Sequence, residues 1–305
     1  VSGNGQVVAA TRERLGGVGV WTAALRTADA AQVPAAVARI EELGYGSLWT
    51  PEGIGGREAF ASAAIVLGAS SRILVGTGIA NVWARHPATM QGGAATLAAA
   101  WPGRFVLGIG ASHAPTVTRS GQVYGKPLAH MAGYLERMDA AAPDAPDTPV
   151  AFPRVLAALR PRMLELAREH ADGAHPYFVP PEHTPMAREI LGGERLLIPE
   201  QAVVLSSDPV HAREIARVHM AHYLTLENYL ASLRHLGYHD EDLAGGGSDR
   251  LVDAIVAWGD EQAISARVDE LRAGGADHVV LQPLAADLAG VIDQLERLAP
   301  VFAGR

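Results

Sequence analysis

GGVGVWTAALRTADAAQ, residues 16–32, decides between two ways of building a parallel sheet. Its first part, 16–23, reads as the opening strand of the chain. A doubly wound dinucleotide-binding sheet carries a glycine fingerprint directly after that strand, where bare backbone must approach a pyrophosphate. Here TAALRTADAAQ follows the strand and contains no glycine. The later GTGIAN, 76–81, lacks the required spacing. An open sheet thus loses its main signal, and the alternation that follows reads as a closed barrel.

That alternation runs through most of the chain. Strands are expected at 16–23, 46–52, 72–82, 104–112, 154–159, 174–179, 201–207 and 277–284. Helices are expected at 33–44, 58–71, 86–103, 125–141, 161–173, 184–193, 208–224 and 287–298. Pro34 suits a first helical turn, Gly44 a helix stop, and Thr184 and Asp208 the N-cap position. The stretch 142–153 is proline-rich and acidic and reads as a loop, because the same rhythm resumes beyond it. Eight β/α units predict an α/β fold, a TIM-type (β/α)8 barrel with helical insertions near the C-terminal part. One domain over 1–305 is expected, with added helical segments at 225–276 and a flexible GGGS, 245–248, between them.

Composition narrows the function. The chain has 305 residues, 49% of them apolar, which suffices for one large core. A formal charge of −8 gives no basic footprint for nucleic acid. There is no cysteine, hence no disulfide, thiolate metal site or thiol nucleophile. The first 17 residues lack the apolar core of a signal peptide, and no apolar run is long enough for a membrane span. The expectation is a cytoplasmic protein without membrane or nucleic-acid partners.

Barrels bind ligands at the C-terminal ends of their strands. This rule turns strand ends into candidates: Trp49 to Glu52, Thr77 to Asn81, Gly110 to His113, Ala158 to Arg160, and the region of Tyr177. Gly76 and Gly108 read as packing positions, whereas Gly78 and Gly110 serve either packing or close approach of a ligand. His113 can carry a proton near neutral pH or simply cap a helix. Glu52 is either a base and ring-nitrogen partner or a solvated loop carboxylate. His86, before Pro87, reads as a helix cap. Arg160-Pro161-Arg162-Met163 lies where a helix begins, so it reads as an anion site or as two solvated arginines. PPEHT, 180–184, has no second ligand pair, and no metal site is expected. No GxSxG elbow, HExxH, Walker loop or CxxC occurs. Trp49, Trp83 and Tyr177 suggest an apolar mouth suited to a neutral or aromatic small molecule.

GYGSLWTPE, ILVGTGIANVWARHPATMQ, GRFVLGIGASHAP, ALRPRMLELAREHADGAHPYFVPPEHT and AGGGSDRLVDAIVAWGD occur in order, at barrel-like spacing. With these segments the chain resembles the luciferase-like monooxygenase superfamily, and within it the oxidoreductases dependent on coenzyme F420, a deazaflavin. The resemblance covers essentially the whole chain. It implies a bulge with a non-proline cis peptide at the end of strand three, matching Gly78–Ile79 with Ala80 beside it. It implies that Ala111, Ser112 and His113 line the ring and that Arg160, Pro161, Arg162 and Met163 hold the cofactor phosphate. A glutamate acts on protons in some relatives at the position of His113. It further implies a homodimer. Two departures stand out. Relatives carry Asp-His after strand two where this chain has Glu52-Gly53, and Arg160 stands where glycine is common.

Three readings follow. The first is an F420-dependent oxidoreductase moving a hydride between the deazaflavin C5 and a small organic substrate, with His113 and Glu52 as catalytic candidates. The second is an FMN-dependent luciferase-like monooxygenase. The third is a ligand-binding barrel without turnover.

Overall fold

The computed structural model describes residues 3–141 and 150–303. Most of the loop expected at 142–153 therefore lies outside the described residues. The strands are β1 (Val18–Trp21), β2 (Ser47–Thr50), β3 (Leu74–Thr77), β4 (Ala80–Asn81), β5 (Phe105–Gly110) and β6 (Arg154–Leu156). They continue as β7 (Gly173–Ala174), β8 (Leu196–Leu197), β9 (Glu200–Leu205), β10 (Val256–Gly259) and β11 (Val279–Pro283). Every pairing is parallel, in the order β10-β9-β11-β1-β2-β3-β5-β6-β7-β8, with β4 beside β5.

The path closes on itself, because β8 at one end and β9, next to the other end, follow each other in the chain with only Ile198 and Pro199 between them. On one side Ile198 N–H donates to the Ala174 carbonyl at 2.9 Å. On the other, the Pro199 carbonyl accepts from Val280 N–H at 3.0 Å. The sheet closes into the expected α/β barrel, with helices outside it. Strands covered on both faces read as near-continuous apolar runs with few polar residues. Accordingly β1, β2, β3, β5 and β11 are buried throughout.

Several local expectations are corrected. The third strand is broken at Gly78–Ile79 into β3 and β4. Only the start of 174–179 pairs as a strand, and further on Phe178 turns the backbone to φ +57°. The region 225–276 is not purely helical: VAWG forms β10 on the edge of β9. GGGS is not a free spacer. Ala244–Gly246 forms a 3-10 turn, and the Ser248 hydroxyl caps the next helix at Leu251 N. Thr184 is not an N-cap, since its helix, His183–Leu191, begins one residue earlier with Glu182 at the cap. Asp208 and His86 do cap their helices, accepting from Val210 N and Ala88 N respectively.

The segment before β1 carries a helix, Gly3–Leu15, that the periodicity did not reveal. Val8 and Leu15 plug the barrel from its N-terminal end, against Leu74, Val106, Val155, Leu196 and Val280. The opposite end stays open. Among the described residues no helix is long and apolar enough to cross a membrane.

Candidate active site at the C-terminal end of the barrel

A cleft of about 1260 Å³ opens where the strands end. It is lined from strand ends all round the barrel: Trp21 after β1, Pro51 to Gly53 after β2, Gly78 and Ile79, Gly110 to His113 after β5, and Ala157 to Arg160 after β6. Its size suits an extended cofactor together with a small substrate.

The floor is made by the break in the third strand. The Gly78–Ile79 peptide is cis, as the resemblance implies. Trp21 Nε1 donates to the Gly78 carbonyl at 3.1 Å. A Cβ on Gly78 would lie 2.5 Å from Trp21 Nε1 and 3.2 Å from His175 Nε2, so only glycine fits here. Gly110 is bare for a different reason: a Cβ there would meet Ile79 Cγ1 at 2.8 Å. Its lack of a side chain seats Ile79. Ala80 lies in the core, fully buried and paired with Ile109, rather than on the cleft surface.

His113 lies on the wall. Its backbone occupies the N-cap of the short helix Ala114–Arg119, but its ring makes no capping bond. Instead Nδ1 lies 3.0 Å from Asn228 Oδ1, and the ring packs on Tyr229 at 5.4 Å between centroids. With Asn228 Oδ1 as acceptor, Nδ1 carries the hydrogen and Nε2 keeps its lone pair. Burial lowers the His113 pKa below the ordinary imidazole range; the Asn228 bond opposes this, and nearby His222 adds to it. The ring is therefore neutral at pH 7 and able to accept a proton.

Glu52 stands differently. Its carboxylate accepts from Asn81 N–H at 2.7 Å and Ala59 N–H at 3.1 Å, and it forms an ion pair with Arg85. Both side chains are almost wholly buried, at 3% and 8% exposure. Glu58 joins the same guanidinium at 2.7 Å. Both Glu52 oxygens are thus occupied by donors, and the solvated loop carboxylate gives way to a clamp holding the β2 loop to β4. Breaking such a pair by removing one partner typically costs ~3–5 kcal/mol.

Arg160 forms the N-cap of the helix Pro161–His170, which begins at the cleft edge. Arg160 and Arg162 are exposed, and among the described residues neither guanidinium is engaged in a hydrogen bond or ion pair. Pro161 and Met163 also line the cleft, and Lys126, the chain's single lysine, stands on its rim. This edge offers positive charge and a helix N-terminus to an anion.

Some lining residues were not foreseen. His175 and Trp21 occupy strand ends, so the rule that selected the others could have found them. Asn228 and Tyr229 come from the helix Glu227–His235, inside the region read only as added helices, and nothing in its pattern points to a ligand. Tyr177 lines the cleft and shares its hydroxyl with Tyr223 at 2.8 Å and Gln282 at 2.9 Å. Trp49 lies beneath, fully buried and stacked on His175 at 4.8 Å. Trp83 stacks on His130 at 4.0 Å. Among the described residues no cluster of His, Asp or Glu could hold a metal ion.

A planar heteroaromatic cofactor with an anionic tail fits what these residues provide. The bare Gly78 backbone gives a flat seat, the orphaned nitrogen of His175 offers an acceptor below it, and the unpaired arginines wait at the edge.

Residues 15–278 match the luciferase-like monooxygenase family. An F420-dependent secondary alcohol dehydrogenase in complex with an F420-acetone adduct is similar in fold, with a TM-score of 0.72 and 15% identity, covering 94% of this chain and 99% of that one. The coenzyme F420-dependent tetrahydromethanopterin reductase from Methanopyrus kandleri is similar at 0.72 and 16%, with 94% and 99% coverage. The oxygenating constituent of 3,6-diketocamphane monooxygenase from Pseudomonas putida, in complex with FMN, follows at 0.64 and 14%, with 93% and 98% coverage. The family match spans far more than half of the described barrel, and the chain belongs to the luciferase-like monooxygenase family.

Proposed function

We propose that this protein is an F420-dependent oxidoreductase that moves a hydride between the deazaflavin C5 and a small organic substrate. One observation carries the reading: a half-buried, neutral histidine with its tautomer set by Asn228 shares a cleft with the bare Gly78–Ile79 floor. When bound, the deazaflavin supplies a ring carbon that accepts or gives a hydride. The chain's own groups do the rest. Arg160 and Arg162, with the start of the helix Pro161–His170, bind the phosphate. Ile79, seated against Gly110, backs the ring, and Ala111 and Ser112 line its side. His113 Nε2 takes the proton leaving an alcohol oxygen as the C–H bond gives up its electron pair; in the reverse direction the imidazolium returns it. Glu52 keeps the β2 loop in place through Arg85 and needs no proton of its own.

The similarity to an F420-dependent dehydrogenase and an F420-dependent reductase supports the choice of F420 over FMN. Titrating the protein with F420 and with FMN, and recording absorbance and fluorescence quenching, tests it. Saturable binding of F420 with weak or no binding of FMN is expected; the reverse result makes the protein an FMN enzyme, and no binding of either makes it a barrel without this chemistry. The same reading includes a homodimer. Ile65, Val210 and Val218 leave apolar surface on outer helices, and light scattering at micromolar concentration should give twice the chain mass of 32.0 kDa.

A further inference from the structure

His175 sits at the bottom of the cleft with one ring nitrogen in use and one unpartnered. Nδ1 lies 2.7 Å from the Ile198 carbonyl. A carbonyl only accepts, so Nδ1 carries the hydrogen and Nε2 bears a lone pair. The residue is 1% exposed, and Nε2 has no hydrogen-bond partner. Buried polar groups in folded proteins are nearly always paired, so an orphan on a cleft wall points to a ligand. The ring cannot swing away to find another partner, because it is stacked on Trp49 and tied to Ile198. Burial lowers its pKa to about 4, the Ile198 bond opposing only in part, so the free nitrogen is an acceptor across the neutral range.

Gly78 and His175 both line the cleft floor, with the Trp21 indole packed against them: a carbon added to Gly78 would lie 3.2 Å from His175 Nε2 and 2.5 Å from Trp21 Nε1. Trp21 Nε1, the nearest donor, is committed to the Gly78 carbonyl. The floor therefore presents one acceptor and no free donor of its own.

We propose that His175 Nε2 accepts a hydrogen bond from the lactam N–H at the inner edge of the bound deazaflavin or flavin ring, and that this bond positions the ring in the barrel. The inference rests on the cofactor reading above. With an anionic tail held by Arg160 and Arg162 on the rim, the ring lies inside the cleft that His175 lines. His175 is a positioning residue, distinct from the proton-carrying His113 on the wall.

Dissociation constants for F420 and FMN, measured by fluorescence titration of the full chain, test the proposal. His175→Asn keeps a donor where Nδ1 stands and removes the acceptor where Nε2 stands. His175→Gln keeps an acceptor near Nε2. Binding of the ring cofactor should weaken about tenfold in the Asn variant and recover most of that loss in the Gln variant. Whichever of F420 and FMN binds the parent protein should bind it about tenfold more weakly once methylated on the lactam nitrogen, and should bind the Asn variant no more weakly methylated than unmethylated. Circular dichroism confirms folding, and the methylated probe tests the parent protein even where a variant does not fold. If methylation costs the parent protein nothing, or the same in parent and folded Asn variant, the donor to His175 is not the ring N–H. A folded Asn variant that binds the cofactor as tightly as the parent also overturns the proposal. Failure of the parent to bind F420 or FMN instead strikes the cofactor reading itself.

Discussion

The two ends of this barrel use their polar groups in opposite ways. At the N-terminal end the prominent charges are tied to the chain. Asp277, before β11, accepts from Arg12 Nε at 2.8 Å, Arg188 Nη2 at 2.7 Å and Leu197 N–H at 2.8 Å. Arg104, before β5, donates to the carbonyls of Ser70 and Ile73 at 3.1 and 3.3 Å. Glu41 receives the N–H groups of Ser71, Arg72 and Ile73 just before β3. At the C-terminal end the arginines 160 and 162 and His175 Nε2 have no such partners among the described residues. Charge paired within the chain stabilises the fold, whereas charge left open is available to a ligand. Glu52 with Arg85 is a paired group on the open end, its carboxylate held by donors of the chain rather than left to a ligand.

The comparison breaks or sharpens first at His113. His113→Ala should lower turnover with F420 across a panel of alcohols and ketones by ~10²–10⁴-fold, the usual contribution of a placed acid or base. Cofactor affinity and unfolding midpoint should stay close to the parent's. The oxidation rate of the parent should rise as pH passes upward through a pKa below 6.5, since the neutral ring is the base; the variant should lose that step. An unchanged pH profile would remove His113 from the proton path.

Asp277→Ala is the mirror experiment at the closed end. It leaves Arg12 and Arg188 without their carboxylate, at a cost of about 3 kcal/mol. Urea unfolding should show that loss, while turnover per folded molecule holds. A drop in turnover without a drop in stability would mean that the two ends are not separate in function.

Arg162→Ala acts on the open end and should weaken F420 binding by ~1–3 kcal/mol, the range for hydrogen bonds to charged groups. The loss should shrink at high salt, because the guanidinium is exposed and its field is screened. Stability should not move. Equal affinity for parent and variant at low salt would place the phosphate elsewhere.

The same contrast governs what could be read from the sequence. The barrel was legible because its longer strands are buried on both faces and carry apolar runs such as Phe105-Val106-Leu107. The site was legible only where strand ends carry it, as with Gly78, His113 and Arg160. β7 and β8 have two residues each, too few for a pattern, and their pairing comes from the neighbours that flank them. VAWG looked helical because it continues a helical run and becomes a strand only by pairing with β9. Glu52 read equally well as base or solvated group, since nothing local indicates that Arg85, 33 positions later, closes on it. Asn228 lies 115 positions from His113, and only the fold brings them together.

The smallest effect concerns Glu41, and it separates the two kinds of group by pH. Burial alone would raise its pKa, but the hydrogen bonds from Arg72, Ile73 and Ser71 outweigh burial and hold it at about 2 against an ordinary 4.5. A carboxyl with a depressed folded pKa stabilises the protein above its unfolded pKa. That contribution is lost as pH falls from about 4.5 through about 2. Because Glu41 is partly exposed, solvent screening reduces the contribution to ~1 kcal/mol. Buried histidines act in a different window. His175, His183, His219 and His278 are all pushed down to about 4 by burial, so they favour the folded state at neutral pH and withdraw that support as pH falls from 6.5 to about 4. Acid unfolding should therefore begin with the histidines and end with the carboxylate. In Glu41→Gln, the stability gap to the parent should be constant between pH 8 and 5 and close below pH ~4.5, leaving the earlier loss untouched. Urea midpoints measured across that range decide it: a gap that already narrows between pH 6.5 and 5 would show that Glu41 titrates with the interior histidines rather than apart from them.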